Sequence, residues 1–549
     1  MTEAAVAANI PFPQDQDRSR VRPRLDAGFN ARNALVFGSI VACALAFVAY
    51  NVYADLSESG VRATSPLPFL LLGVALVIAL GFEFVNGFHD TANAVATVIY
   101  THSMPAPVAV VWSGVFNFLG VLASTGVVAY GIIALLPVEL ILQVGSSAGF
   151  AMVFALLIGA IIWNLGTWYF GLPASSSHTM VGSIIGVGLA NQLTSTQLTS
   201  TVSTGTSGVD WTQAAKIGYS LLLSPVIGFV AAALLLLALK VVARRPELYR
   251  EPSATEAPPL WIRGLLVLTC TSVSFAHGSN DGQKGMGLIM LILIGVAPTA
   301  YALNRSMSDV DVRPFVVTAT AAADTLERYS GAQSIDDPRR VVGGYLRSRR
   351  PDPAVVPAVA QLSRRIAMQV EQYGSLRRLP DETVQNVRND MYLASEAIRR
   401  FSKDPATVKL STGDAQVLNG YVGELDGATR YIPTWVKVAV AIALGLGTMV
   451  GWKRIVITVG EKIGKTHLTY AQGASAELVA AATIAAADMY GLPVSTTHVL
   501  SSGVAGTMAA NRSGLQLTTV RNLLMAWVLT LPAAIVLSGS LFWLFVKTF

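Results

Sequence analysis

Two near-copies of one short motif lie 320 residues apart in this chain: Gly171-Leu-Pro-Ala-Ser-Ser-Ser-His178 and Gly491-Leu-Pro-Val-Ser-Thr-Thr-His498. A second pair, Phe84-Val-Asn86-Gly87-Phe-His89-Asp90 and Phe275-Ala-His277-Gly278-Ser-Asn280-Asp281, is separated by 191 residues, with Asn and His exchanged around a fixed Gly and Asp. From Asp90 to His178 is 88 residues and from Asp281 to His498 is 217. The excess of 129 equals the length of one polar, Arg-rich interruption, residues 304–432. Without it the halves align in register, down to a shared Gly (Gly186, Gly506) and an Ala-Asn ending (Ala190-Asn191, Ala510-Asn511). Chance likeness between apolar helices would reproduce Ala and Leu, not these polar positions. A duplicated, Gly/Pro-broken membrane chain bearing hydroxyls and carboxylates has the sequence form of a secondary transporter built from two related halves.

Charged residues make up 13% of the chain, against about 25% in soluble domains. Only residues 304–432 have ordinary soluble composition, with 18 basic and 16 acidic residues. The formal charge of +6 is spread over loops and tail and gives no argument for nucleic acid. Cys43 and Cys270 both sit in apolar runs and read as small buried hydrophobes. Residues 1–33 are polar and carry Arg18, Arg20, Arg22, Arg24 and Arg32, which places the tail in the cytoplasm ahead of a spanning run, Ala34–Tyr53. Further apolar runs are Leu67–Val85, Ala106–Leu136, Gly149–Phe170, Ile217–Val242, Leu260–Ala297, Thr434–Gly451, Ala474–Tyr490 and Leu517–Val546. Thr179–Asn191 and Val499–Asn511 are too short to cross a core of about 30 Å and read as half-helices or re-entrant segments. The basic loop Lys240–Arg263 is expected inside, so the first repeat starts outside near Pro66 and the second inside near Pro259. Opposite starting sides make the repeats inverted.

In each Gly-Leu-Pro motif, Gly and Pro end one helix and the hydroxyl residues cap the next. A helix N-terminus with free N–H groups and hydroxyl donors suits a small oxyanion. Ser175, Ser176, Ser177, Ser495, Thr496 and Thr497 are therefore the candidate anion side, against the plain reading that they only cap helices or join them. Asp90 and Asp281 would repel an anion, so they call for a coupling cation or proton, with Asn86, Asn93 and Asn280 close by. His89 and His277 could relay protons or orient neighbours, and His178 and His498 are read as orienting. Lys284 could contact the anion or pair with Asp281. Glu83 and Glu477, inside apolar runs, read as snorkelling or helix-end residues.

These motifs resemble the PiT family of inorganic phosphate transporters, most closely its bacterial low-affinity permeases. Gly87-Phe-His-Asp-Thr-Ala-Asn-Ala94 resembles the family's Gly-x-Asn-Asp-x-x-Asn-Ala signature, and Gly278-Ser-Asn-Asp281 its second copy. The likeness runs from about residue 66 onward and excludes residues 1–33. Two departures stand out: His89 replaces the signature's first Asn, and Gly282-Gln-Lys284 replaces the second copy's x-x-Asn. Both fall where sodium-coupled relatives would help hold Na⁺. The resemblance implies a multi-pass symporter of the cell inner membrane that imports phosphate with H⁺, as a neutral complex with a divalent metal. Na⁺ coupling is the alternative. It implies no resident metal or cofactor beyond such cargo or Na⁺, and a homodimer is compatible with it.

An intramembrane Ser/His hydrolase would use Ser177 and His178 but needs no second copy, and adjacent residues form the nucleophile–base geometry poorly. A channel or sensor with a regulatory domain would use the interruption but not two cation-type sites. The expected fold is an all-α polytopic membrane protein: an inverted-repeat transporter with broken, re-entrant helices and a soluble helical insertion. Its expected parts are a polar tail (1–33), an extra spanning helix and loop (34–65), a first membrane repeat (66–242), a linker and the start of the second repeat (243–303), the insertion (304–432) and the rest of the second repeat (433–549). Ala358–Tyr373 and Glu382–Phe401 carry apolar residues at helical spacing within the insertion. The first repeat makes the corresponding connection with the short loop Thr101–Pro107, so the geometry does not require those residues. Replacing Arg305–Arg430 with a short Gly/Ser linker should leave measurable phosphate uptake at an altered rate. A deletion variant that reaches the membrane intact and transports nothing would make the segment part of the machinery.

Overall fold

The computed structural model describes residues 31–59, 66–136, 146–198, 209–253, 257–304, 309–330, 333–348 and 350–548, with Pro23 and Leu25. Most of the polar tail, and residues 60–65 of the loop after the first span, lie outside the described residues. The described secondary structure is helical apart from one isolated bridge between Gly464 and Leu515. Seven of the described helices are long and apolar enough to cross a membrane. The protein is an all-α, multi-pass integral membrane protein.

Helix α1 (Ala31–Glu58) stands apart from two sets of six described helices. The first set is α2 (Leu67–Tyr100), α3 (Ala106–Ala123), α4 (Val127–Ile133), α5 (Ser147–Tyr169), α6 (Ser176–Leu198) and α7 (Trp211–Val242). Next come α8 (Leu260–Val296) and the interrupting helices α9 (Asp309–Ser330), α10 (Pro338–Ser348), α11 (Val355–Tyr373), α12 (Asp381–Phe401) and α13 (Thr412–Thr429). The second set, begun by α8, continues with α14 (Thr434–Thr448), α15 (Lys453–Ile457), α16 (Tyr470–Met489), α17 (Thr496–Ala510) and α18 (Leu517–Thr548).

The sets interlock by reciprocal packing. α6 lies on α18 and α17 lies on α7; α3 crosses α8 and α14 crosses α2. Small residues make these approaches possible, as expected where lipid tails supply no hydrophobic drive between helices. A Cβ at Gly186 would sit 2.2 Å from the Ile535 carbonyl oxygen, and one at the matching Gly506 would sit 2.1 Å from that of Phe229. Gly87 and Gly278 form a second matched pair, 2.2 Å from the Leu444 oxygen and 2.1 Å from the Asn117 oxygen. The outer faces of α7 and α18 expose Leu222, Val226, Val230, Leu234, Val528, Val536 and Leu544 at helical spacing. These are lipid-facing stripes.

Three expectations need correction. The apolar run Ala106–Leu136 is not one span: it breaks into α3 and α4 at Gly126, whose φ of +87° is left-handed. The segment after the first Gly-Leu-Pro motif is not a 13-residue piece; α6 continues to Leu198 over 23 residues, because the backbone ladder persists after the apolar pattern stops. Cys43 is exposed on α1, while Cys270 is buried.

Helices α9 to α13 form their own bundle. Phe315, Leu362, Ile366, Ile398 and Tyr421 fill its centre, and Arg364 clamps Asp324 and Glu327 at 2.6 Å each. Both ends of this segment meet, since Asn304 N–H donates to Ala428 O at 2.8 Å. Arg430 lies 5.5 Å from the Tyr130 ring centre and so ties the bundle to the membrane body. Because α8 runs from the 243–259 loop to the bundle, the two sit at opposite ends of a helix of 37 residues, roughly 55 Å long. α1 finishes on the bundle's side, where Trp435 Nε1 donates to Asp55 Oδ2 at 2.9 Å.

The glycine contacts set a stability test. Gly506→Ala should lower the thermal midpoint of the detergent-solubilised protein, at a cost of about 1–3 kcal/mol from the forced separation of α7 and α17. Gly264→Ala, where a Cβ would meet nothing within 4 Å, should be neutral or slightly stabilising. Equal effects at the two positions would discount the close-approach argument.

Candidate functional site

Each Gly-Leu-Pro motif folds the same way. α5 ends with Gly171 at φ +65°, its N–H donating to Trp168 O and that of Leu172 to Thr167 O. α16 ends with Gly491 at φ +64°, with the same pair of bonds to Asp488 O and Ala487 O. This left-handed glycine cap is a Schellman end, and the proline two residues on prevents the helix from resuming. The chain then turns and caps a new helix. Ser175 Oγ accepts from His178 N at 3.2 Å, and Ser495 Oγ accepts from His498 N at 3.1 Å. The two new N-termini converge: Ser177 Oγ donates to Val494 O at 2.6 Å, and the His178 and His498 rings lie 4.6 Å apart.

The Asn/His–Gly–Asp motifs meet the same point from mid-helix. Asp90 is 3% exposed and Asp281 is fully buried. Ser176 Oγ is shared between them, 2.9 Å from Asp90 Oδ2 and 3.3 Å from Asp281 Oδ2. Thr497 Oγ1 donates to the other Asp90 oxygen. His277 Nε2 faces both carboxylates, 3.7 Å from Asp90 and 3.5 Å from Asp281, while its Nδ1 lies 2.8 Å from Asn117 Oδ1. Lys284 Nζ is 2.6 Å from Asp281 Oδ2 and donates to Ser177 Oγ at 2.5 Å. Ligand atoms of Asp90, His277 and Asp281 all lie within 4.8 Å of one another, a spacing that could hold a metal ion. A buried ion set of this kind is stable only when paired and hydrogen-bonded throughout.

Not every candidate joins this cluster. His89 stands at its edge, with Nδ1 3.7 Å from Asp90, the same distance as His277 from that carboxylate, and Nε2 3.1 Å from Thr167 Oγ1. Asn86 turns away and donates to Glu83 Oε2 at 3.4 Å. Asn280 donates to Leu492 O at 3.2 Å, fastening α8 to the second motif rather than to a carboxylate. Thr496 has a buried hydroxyl with no partner among the described residues, and the side chain of Asn93 lies outside them. Glu83 and Glu477 are neither snorkelling nor at helix ends, since both are fully buried. Thr269 Oγ1 donates to Glu477 at 2.5 Å, and Gly285 leaves the room that Glu83 fills.

Comparison with known proteins decides the family. Residues 86–538 match the model of PHO4, the phosphate transporter family. The chain belongs to this family. It is 45% identical to the low-affinity inorganic phosphate transporter PitA of Escherichia coli (strain K12), over 86% of this chain and 96% of that one. It is 28% identical to a probable low-affinity inorganic phosphate transporter of Bacillus subtilis (strain 168), again over 86% and 96%. A solved structure titled the sodium-dependent phosphate transporter aligns with a TM-score of 0.48 and 20% identity, over 87% of this chain and 99% of that one. Members of the phosphate transporter family are transporters and not enzymes.

Against the family signature, the second departure, Gly282-Gln-Lys284, has a definite place. Lys284 puts a fixed ammonium beside Asp281. Gln283 Nε2 donates to Asp488 Oδ1 at 2.6 Å and its Oε1 accepts from Val128 N at 2.9 Å, so it locks the start of α4 to α16. Asn117, Thr167 and Asp488 were missed in the sequence. Each is a polar residue inside or at the end of an apolar run, a signal that helix ends also produce.

Asp90→Asn and Asp281→Asn should each abolish phosphate uptake while the protein still reaches the membrane. Asp281→Asn also strands the buried Lys284 charge and should destabilise the fold by about 3 kcal/mol. Adding Lys284→Met should restore the thermal midpoint but not the transport. Normal uptake in either Asp variant would remove that residue from the mechanism.

Proposed function

We propose that this chain imports inorganic phosphate by H⁺-coupled symport, with the Asp90–His277–Asp281–Lys284 cluster as coupling site and the converging N-termini of α6 and α17 as anion side. The observation that carries this reading is the Lys284–Asp281 contact at 2.6 Å. With both carboxylates ionised, Lys284 protonated and His277 neutral, the cluster has one excess negative charge, which opposes an incoming oxyanion. At 4 Å and an effective dielectric of 20 that opposition is about 4 kcal/mol. One proton taken up by the cluster removes it. The neutralised site then presents hydroxyls of Ser176, Thr496 and Thr497 at the N-termini of two helices to phosphate. Lys284 supplies a fixed positive charge beside Asp281.

The cargo reading is phosphate complexed with a divalent metal. What supports it is the set of three ligand atoms from Asp90, His277 and Asp281 within 4.8 Å, a donor set suited to a metal as well as to a proton. Repeats that pack reciprocally support alternating access around one central site.

In proteoliposomes, phosphate uptake should be driven by an inward proton gradient, collapse with a protonophore, and be indifferent to replacing Na⁺ by K⁺. Chelating divalent metals on the uptake side should reduce it. Strict Na⁺ dependence would overturn proton coupling, and undiminished uptake in chelator would overturn the metal complex.

A further inference from the structure

Between the helical bundle and the membrane body is a cavity of about 560 Å³ that the transport reading has not used. Six cationic side chains among the described residues line it: Lys216 from α7, Arg347 from α10, Arg399 and Arg400 at the end of α12, Lys403 just beyond it, and Arg430 after α13. Among the described residues only two acids, Asp210 and Glu396, share the lining. Asp210 is committed to capping α7, where its Oδ1 accepts from Gln213 N at 2.9 Å. Glu396 and the adjacent Asp426 hold two of the cations in place: Arg430 reaches Glu396 at 2.9 Å and Asp426 at 3.1 Å, and Arg399 pairs with Asp426. A guanidinium carries five N–H donors, so a carboxylate pairing leaves others to face the cavity. Lys216 and Lys403 are exposed at its mouth.

The inner wall includes Tyr490 and Gly491, where α16 ends and the second Gly-Leu-Pro motif begins. From Gly491 the chain reaches Val494, whose carbonyl accepts from Ser177, and then Ser495, which caps α17. The cavity thus abuts the segment that forms one half of the central site. Five of its six cations come from the 304–432 segment, which interrupts one repeat and has no counterpart in the other.

We propose that this cavity is a second anion site, a vestibule that takes a phosphate-type tetrahedral oxyanion ahead of the central site. It draws on the phosphate-transport reading for its ligand. Arginine forks and lysine ammonium groups are the side chains that recognise such an oxyanion. A basic cleft with low-dielectric walls also raises the local concentration of anions by 10-fold or more. The same chemistry is offered by a free phosphate ion and by the phosphodiester of an anionic lipid headgroup. The insertion's function on this account is capture at the mouth, which leaves the central chemistry intact.

The test uses the purified full-length protein and its Lys216→Gln/Lys403→Gln variant, which keeps the Arg399 and Arg430 ion pairs. Equilibrium binding of radiolabelled inorganic phosphate should reveal two classes of site in the native chain. The class weakened by added KCl should be lost in the double variant and kept in Asp90→Asn. In liposomes the double variant should show a KM about 5-fold higher at low ionic strength with unchanged kcat, and the difference should vanish in about 0.5 M KCl. Lys216→Glu/Lys403→Glu should raise KM further. A salt-sensitive class present in phosphatidylcholine discs but displaced in discs containing phosphatidylglycerol would assign the site to the headgroup. If both double variants match the native chain in binding, KM and lipid dependence, the vestibule is wrong and the transport reading stands. If the native chain shows the salt-sensitive class but no uptake, the vestibule stands and the transport reading fails.

Discussion

The shared hydroxyl of Ser176 is the interaction on which the site depends. It joins two carboxylates, at 2.9 and 3.3 Å, that come from different halves of the chain. Two buried like charges held by one donor repel strongly unless other groups intervene. Here Lys284, His277 and Thr497 do so, each from a different helix or motif position. Removing any one leaves a buried charge with too few partners, which costs more than the lost bond itself. The architecture around the cluster follows from that requirement. Glycines at helix crossings bring backbones close enough for short side chains to meet, and broken helices deliver N-termini where straight ones would deliver only apolar flanks.

Duplication was the most legible part of the sequence. Asp90, Asp281, Ser176 and Thr497 stand out because polar residues in apolar runs are costly, and because each has a counterpart at a matched position. Lys284 was legible as a residue but not as a contact, since sequence spacing allowed both its partners. Its ammonium reaches Asp281 and Ser177 together. Asn117, Thr167, Asp488 and Glu83 were not legible. Whether such a residue caps a helix or supports the site depends on which helix crosses it, and crossings are set by three-dimensional packing. Asn117 meets His277 only because Gly278 lets α8 press on α3.

Helix lengths failed for a different reason. Apolarity marks what lies against lipid or core, whereas a helix ends only where its backbone ladder ends. α6 passes through Asn191-Gln-Leu-Thr194 without breaking, so its polar tail reads as loop in the sequence. Conversely, Gly126 ends an apolar stretch that hydropathy alone joins to α4. Backbone conformation decided both cases, and hydropathy registers it only where Gly or Pro is present.

The reciprocal packing has a consequence for how the protein is made. α6 carries Ser176 and Ser177, yet a wall it rests on is α18 (Leu517–Thr548), far along the chain. During synthesis the first half therefore emerges with the close-approach face of Gly186 unmatched, and it stays so until α18 follows. The loop-closure entropy for that contact spans most of the chain, and no local pairing within the first half can replace it. The central site is thus completed only once α18 is in place, and a ribosome that stops short of α18 releases a protein whose anion side lacks that wall.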